Sequence, residues 1–317
     1  MPLTRQTTMS EAFVGAEGAP PPELVKVSDG IYAWVQPDGT WGLNNPGFFV
    51  GSDGVTVVDT CMTQARTEAL VDAIRSVTDA PLRTLVNTHH HGDHTHGNYL
   101  LPAATVIAHE KCREEIVAAG LSMASKFPHV KFGELVVRPP FVTFTDRLTV
   151  FVDDRRVELF HPGVAHTTND IVAWVPDQRI LFSGDLLMNG GTPFMVAGSI
   201  AGSIAALDLL QALGAETIVP GHGAVCGPEV IYTTLGYLRL VRDLAHDMRA
   251  SGGSPLETAR AADLGEFAAL SNSERLVGNL HRAAAELDGM PRGAPLDMSA
   301  IYAEMAEFNG GQLRSLA

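Results

Sequence analysis

The chain has 317 residues, 45% of them hydrophobic, and a formal net charge of −14. That length can bury a full core and predicts one large domain with an appendage. The acidic balance without a basic stripe argues against a nucleic-acid partner, and no apolar run is long enough to cross a membrane.

In chain order, residues 1–22 are polar, rich in Gly and Pro, and end in consecutive prolines, so they read as a flexible N-terminal arm. They lack a basic start followed by an apolar core, so a cytoplasmic protein is expected. VKVSDGIYAWVQ and WGLNNPGFFVG flank a Pro-Asp-Gly-Thr turn and predict hairpin strands, followed by the strand VTVVDT up to Asp59 and Thr60. Thr63 to Val77 has helical spacing, with Leu70, Ile74 and Val77 on one face. A strand over Leu82 to Thr88, another over Thr105 to Ala108 and a helix over Glu110 to Ala119 come next. Leu121 to Pro140 is irregular and is read as a flap or insertion over a site; strands resume over 141–160, and Ile200 to Leu213 returns to helix. Strand-rich halves flanked by helices predict an α/β (α+β) class: two face-to-face sheets with helices outside, an αββα four-layer sandwich over 23–231.

From about Tyr232 the composition shifts to Ala, Leu, Glu and Arg, predicting a helical C-terminal extension over 232–317. Its helices are expected over Leu235 to Ala250, Ser254 to Leu264 and Ser273 to Leu287. They would pack on the sandwich or on a neighbouring subunit of a homo-oligomer. In the last of them, Asn279, His281 and Arg282 read as a solvated side, with pocket lining as the alternative.

Chemistry concentrates in His89-His90-His91-Gly92-Asp93-His94, directly after an apolar strand. His89 and His91 alternate along an extended loop and so face one side, while His90 points away. Imidazole nitrogen with carboxylate oxygen suits zinc or another borderline first-row metal. Further candidates follow other predicted strands: His166 after RVELF, Asp185 where RILFS ends at Gly184, and His222 where ETIV ends at Pro220-Gly221. Strand ends hold such ligands in place, and the adjacent glycines let the backbone bend close to an ion. His96 reads as a helix-start or rim residue; His109, His129 and His246 read as solvated surface. The cysteines Cys61, Cys112 and Cys226 have no paired spacing and are expected as free thiols. No GxSxG, Ser-His-Asp or Cys/His pattern offers a side-chain nucleophile.

These residues resemble the metallo-β-lactamase fold superfamily of metal-dependent hydrolases. The HxHxDH signature matches His89, His91, Asp93 and His94, and the later ligands match His166, Asp185 and His222, over roughly residues 25–230. The resemblance implies two zinc ions, with iron or manganese as alternatives. One ion would take His89, His91 and His166, the other Asp93, His94 and His222, with Asp185 bridging and Asp59 supporting the histidine loop. It further implies a metal-bridging hydroxide that attacks a carbonyl, with Asp93 or Asp185 passing the proton to the leaving group. An aspartate at 185, where β-lactam-cleaving branches carry Cys or Ser, favours a small-molecule acyl substrate: an ester, thioester or lactone. The lactonase tyrosine after this aspartate is absent, Met188 and Asn189 standing there. β-Lactam or phosphodiester hydrolysis and an iron-dependent redox reaction on the same fold are the alternatives.

Overall fold

Alternation decides which side of each strand is dry. In β2 (Ile31–Val35) of the computed structural model, which describes residues 20–317, Ile31, Ala33 and Val35 face one core and Trp34 another. Residues 1–19, most of the expected N-terminal arm, lie outside the described residues. The first sheet runs in sequence order: β1 (Glu23–Ser28), β2, β3 (Gly47–Val50), β4 (Val55–Val58), β5 (Leu82–Val86), β6 (Thr105–His109) and β7 (Val142–Phe144). It is antiparallel through β4 and parallel from β4 to β7. The β4–β5 crossover is α1 (Gln64–Val77), as parallel neighbours require a long connection. The four-residue helix α2 (Gly92–Thr95) follows β5, and α3 (Glu110–Ala119) follows β6.

The second sheet has the order β12-β11-β10-β9-β8. Its strands are β8 (Arg147–Val152), β9 (Arg155–Phe160), β10 (Val172–Val175), β11 (Ile180–Met188) and β12 (Thr217–His222). β11 and β12 are parallel, joined through α4 (Ile200–Leu213). Between the sheets, Ile31, Phe49 and Val58 meet Leu159, Ala173 and Phe182, with the Phe49 and Phe182 rings 5.2 Å apart edge to face. The outer face of the first sheet packs on Leu70, Ala73 and Ile74 of α1, and the outer face of the second packs on α4. This is the four-layer αββα sandwich.

Local signals agree with several boundaries. Thr63 caps α1 by accepting from the Arg66 amide, and Ser199 caps α4 by accepting from Gly202. Gly214 closes α4 in the left-handed region at φ 67. Beyond β12 lie α5 (Glu229–Ser251), α6 (Pro255–Ala261), α7 (Arg275–Leu287) and α8 (Met298–Phe308). α5 begins six residues before the expected start at Leu235, α6 ends before Leu264, and α8 was not expected. β11 also differs: it does not stop at Ser183 but continues through Asp185 to Met188, with a register shift at Gly184.

His109 corrects another expectation, because it is buried (4% exposed) rather than solvated. It caps α3 by accepting from the Lys111 amide and stacks on His161 at 4.4 Å. Burial, then the His161 ring, pushes its pKa from 6.5 down to about 4. The unfolded chain therefore takes up a proton before the folded one does. Stability contributed by neutral His109 is complete above pH 6.5 and is lost as pH falls toward 4. In His109→Asn, which keeps a capping oxygen, denaturant titrations from pH 7 to 4 should show a shallower loss than wild type. An identical slope would remove His109 from the effect.

Candidate metal centre

The histidine loop is held by backbone carbonyls and buried amides. His91 is extended (φ −60, ψ 147) and its carbonyl accepts from the His94 amide and from Thr95 Oγ1. The His94 carbonyl accepts from Asn87 Nδ2 and Thr60 Oγ1, both at 3.1 Å. At Gly92 between them a Cβ would sit 2.3 Å from His96 Nε2, so a larger residue there must push the His96 ring aside.

Hydrogen bonds on the far nitrogens set which imidazole nitrogen points inward. His94 Nδ1–H donates to Asp59 Oδ2 at 2.8 Å. Thr88 Oγ1 donates to the same oxygen at 2.7 Å and lies 3.1 Å from His89 Nδ1, from which it can accept. The Thr88 amide donates to Asp59 Oδ1 at 2.7 Å. Asp59, at φ 60 in the left-handed region, thus anchors two candidate ligands at once. His166 Nδ1–H donates to the Phe194 carbonyl. In all three rings Nε2 is left with its lone pair inward. Asp59→Asn keeps the shape but removes the anionic acceptor. Metal affinity or turnover should fall about 10–100-fold; unchanged metal binding by competition titration would contradict this role.

The inward atoms form two groups, His89, His91, His166 and Asp185 in one and Asp93, His94 and His222 in the other, the ligand atoms of each lying within 4.8 Å of one another. His91 Nδ1 is 3.0 Å from both His89 Nε2 and His166 Nε2. Asp185 Oδ2 lies 3.8 Å from His89 Nε2 and 3.5 Å from His166 Nε2. His222 Nε2 lies 3.4 Å from Asp93 Oδ2. Asp185 also reaches this second group, with Oδ1 3.1 Å from His94 Nε2 and Oδ2 3.3 Å from His222 Nε2.

Does this donor set fit metal ions? Donors on one tetrahedral zinc at about 2.0–2.1 Å stand roughly 3.3 Å apart, close to the spacing seen. His94 Nε2 and Asp185 Oδ1 are buried with each other 3.1 Å away but make no well-aligned hydrogen bond, although such groups are normally paired. Burial, then neighbouring imidazoles, holds His91 well below its usual pKa; burial, then His94, does the same for His89, so both rings are neutral donors. Burial alone would lower His94 and His222. Asp185 foremost more than offsets it, raising His94 well above the usual value and His222 to about 9. Burial alone would raise Asp185, yet His222 and His94 hold it far down. Imidazole nitrogens converging on carboxylates suit divalent metal.

A model of the Metallo-beta-lactamase superfamily matches residues 39–222, more than half of the chain and spanning every one of these candidate ligands. The chain belongs to the metallo-beta-lactamase superfamily. Metallo-beta-lactamase type 2 of Bacteroides fragilis is 28% identical over 221 residues, covering 67% of this chain and 83% of the relative. Hydroxyacylglutathione hydrolase of Rhodospirillum rubrum is 34% identical over 145 residues, 46% of this chain and 47% of that enzyme. A solved metallo-beta-lactamase from Pontibacter korlensis superposes with a TM-score of 0.58 at 23% identity, covering 69% of this chain and 99% of that one, a likeness of fold.

Above the metallo-beta-lactamase ligand cluster lies a cavity of about 210 Å³. Of the 121–140 segment expected as a flap, only the start reaches it: Ser122, Met123 and Lys126 lie in the wall, and Met123 Sδ accepts from the Gly92 amide. Phe194 lines it, and Pro193 beside it does not. His90 turns away from the donors to Asn169, and His96 binds the Met62 carbonyl at the cavity edge. Cys61 and Cys112 are buried, Cys226 is half-buried, all are free thiols and none lines the cavity.

Sequence reasoning missed Trp41 and the particular residues through which the extension lines the cavity, Arg275, Met298 and Tyr302. The expected solvated side of α7 is also corrected. Asn279 and Arg282 are 0% and 1% exposed and bind the loop before α4. Asn279 accepts from the Met195 amide and donates to the Pro193 carbonyl, and Arg282 donates to the carbonyls of Val196 and Ala294. The available signal was spacing: Arg275, Asn279 and Arg282 recur at i, i+4 and i+7, one stripe of the helix.

Proposed function

We propose that the protein is a dinuclear zinc-dependent hydrolase that cleaves an ester, thioester or lactone carbonyl. One observation carries this reading: the Asp185 carboxylate touches both donor groups, Oδ1 toward His94 and Oδ2 toward His166 and His222. Imidazole and carboxylate donors favour zinc among borderline cations. His89, His91 and His166 would hold one ion, and Asp93, His94 and His222 the other. When bound, such ions supply an activated water and Lewis acidity toward a carbonyl oxygen.

The chain's own groups do the rest. Trp41, Phe194 and Tyr302 seat an apolar acyl group and keep bulk water away from the scissile carbon. Asp93 Oδ2 faces the cavity floor beside His222, where it can receive a proton and return it to the departing group. The hydroxyacylglutathione hydrolase relative supports the acyl-ester reading; the metallo-beta-lactamase relatives make β-lactams the second substrate class to test.

The test is metal analysis with a substrate panel of esters, thioesters, lactones, β-lactams and phosphodiesters. About two zinc equivalents per chain are expected, with carbonyl cleavage abolished by a chelator and restored by zinc. Cleavage indifferent to chelation, or confined to phosphodiesters, would overturn the proposal.

A further inference from the structure

Arg275 is a buried cation with no described carboxylate within ion-pair distance, although buried Glu274 beside it, then Asp185 and Asp93, attract it through space. It is 1% exposed, lies in the cavity wall, and stacks 4.1 Å from the ring of Trp41. Trp41 is fixed in turn, its Nε1 donating to Glu274 at 2.6 Å. Arg275 Nη1 donates to the Thr192 carbonyl and to Met188 Sδ, both at 3.0 Å. Met188 is paired in register with His222, so the guanidinium sits one side chain from a candidate ligand. Its Nε is buried with no hydrogen-bond partner, and no described residue accepts from Nη2. Those two donors share one edge of the guanidinium, the fork that matches the two oxygens of a carboxylate.

A second cation shares the cavity. Lys126 lies in its wall with Nζ 4.8 Å over the ring of Tyr302, and that ring is 6.4 Å from Trp41. No described carboxylate forms an ion pair with Lys126 or Arg275. A buried charge left unpaired is costly, and leaving one buried donor unmet costs about 1–3 kcal/mol. The unmet donors of Arg275 therefore call for an anion at the α7 wall of the cavity.

We propose that Arg275, with Lys126 at the rim, forms a subsite that selects acyl substrates carrying a free carboxylate a short chain away from the scissile carbonyl. The inference rests on the hydrolase reading above and names the substrate class of that site. Arg275 grips the carboxylate through Nε and Nη2, while the scissile carbonyl lies over the metal floor.

The test compares mono-4-nitrophenyl glutarate with its methyl-capped diester on the zinc-loaded full chain. Wild type is expected to favour the free acid by about 30-fold in kcat/KM, through KM. In Arg275→Met that ratio should collapse to about one, and in Arg275→Lys, which keeps charge but not the fork, to about three to ten. Equal wild-type rates on the two esters, or a ratio retained in Arg275→Met, would overturn the proposal. Calorimetric binding of glutarate against butyrate needs no turnover, so it separates this proposal from the hydrolase reading. Glutarate should bind wild type about tenfold tighter, and equal affinities would again overturn the subsite. Should Arg275→Met fail to fold, the wild-type ratios and Arg275→Lys still decide.

Discussion

Asp185→Asn is expected to reduce carbonyl hydrolysis by about 10³-fold or more and to lower bound metal from about two equivalents toward one. The substitution is nearly isosteric, so packing between β11 and β12 survives. What changes is the charge shared between the donor groups: Asp185 oxygens lie 3.1 Å from His94 Nε2, 3.3 Å from His222 Nε2 and 3.5 Å from His166 Nε2. An amide offers one neutral oxygen where the carboxylate offers two charged ones, and its NH2 group would point at imidazole lone pairs or at a cation. Circular dichroism and thermal melting should report a folded protein, and elemental analysis should report the missing ion. A variant retaining two ions and near-wild-type turnover would refute the bridging role.

Gly221→Ala is expected to damage the same site without altering any ligand. A Cβ at 221 would lie 2.0 Å from Asp185 Oδ1 and 2.7 Å from the Gly184 carbonyl carbon. The carboxylate could swing aside, but the backbone of β11 cannot, so β12 must shift away from it. Overpacking of this kind costs about 1–3 kcal/mol, and the displaced Asp185 should cut turnover by about 100-fold or more. Gly253→Ala is the control, because its nearest neighbours stand at 3.4 Å or beyond and its φ is outside the left-handed region. If Gly221→Ala matches that control in both melting temperature and activity, the close approach of β12 to Asp185 does not hold in solution.

Legibility in the sequence tracked how local the determinant was. The helix spacing of α1 and α4 repeats within a few residues and is bounded by Thr63 and Ser199, so those elements could be read directly. The candidate ligands were legible because each sits beside a strand and a glycine, and because their family signature has distinctive spacing. The course of β11 was not. Gly184 looked like a stop, but its left-handed φ of 52 only shifts the register, and the pairing that carries the strand to Met188 comes from distant His222. α8 was missed for a similar reason, being short and set after a Pro- and Gly-rich stretch, with its burial supplied by α7. Arg275 was overlooked because a basic residue at a helix start is ordinarily solvated. The ring of Trp41, more than two hundred positions earlier, gives it a buried berth together with Thr192 and Met188.

α7 reaches the metal floor through a chain of contacts. Asn279 and Arg282 grip residues 193–196, and the Phe194 carbonyl in that loop receives the Nδ1 proton of His166. The same helix bears Arg275 in the wall of the chamber. One rigid rod therefore both aims a ligand and shapes the entrance, so a mutation that retunes selectivity through α7 also tugs on ion retention. Evolution toward new substrates on this scaffold would have to move the two properties together.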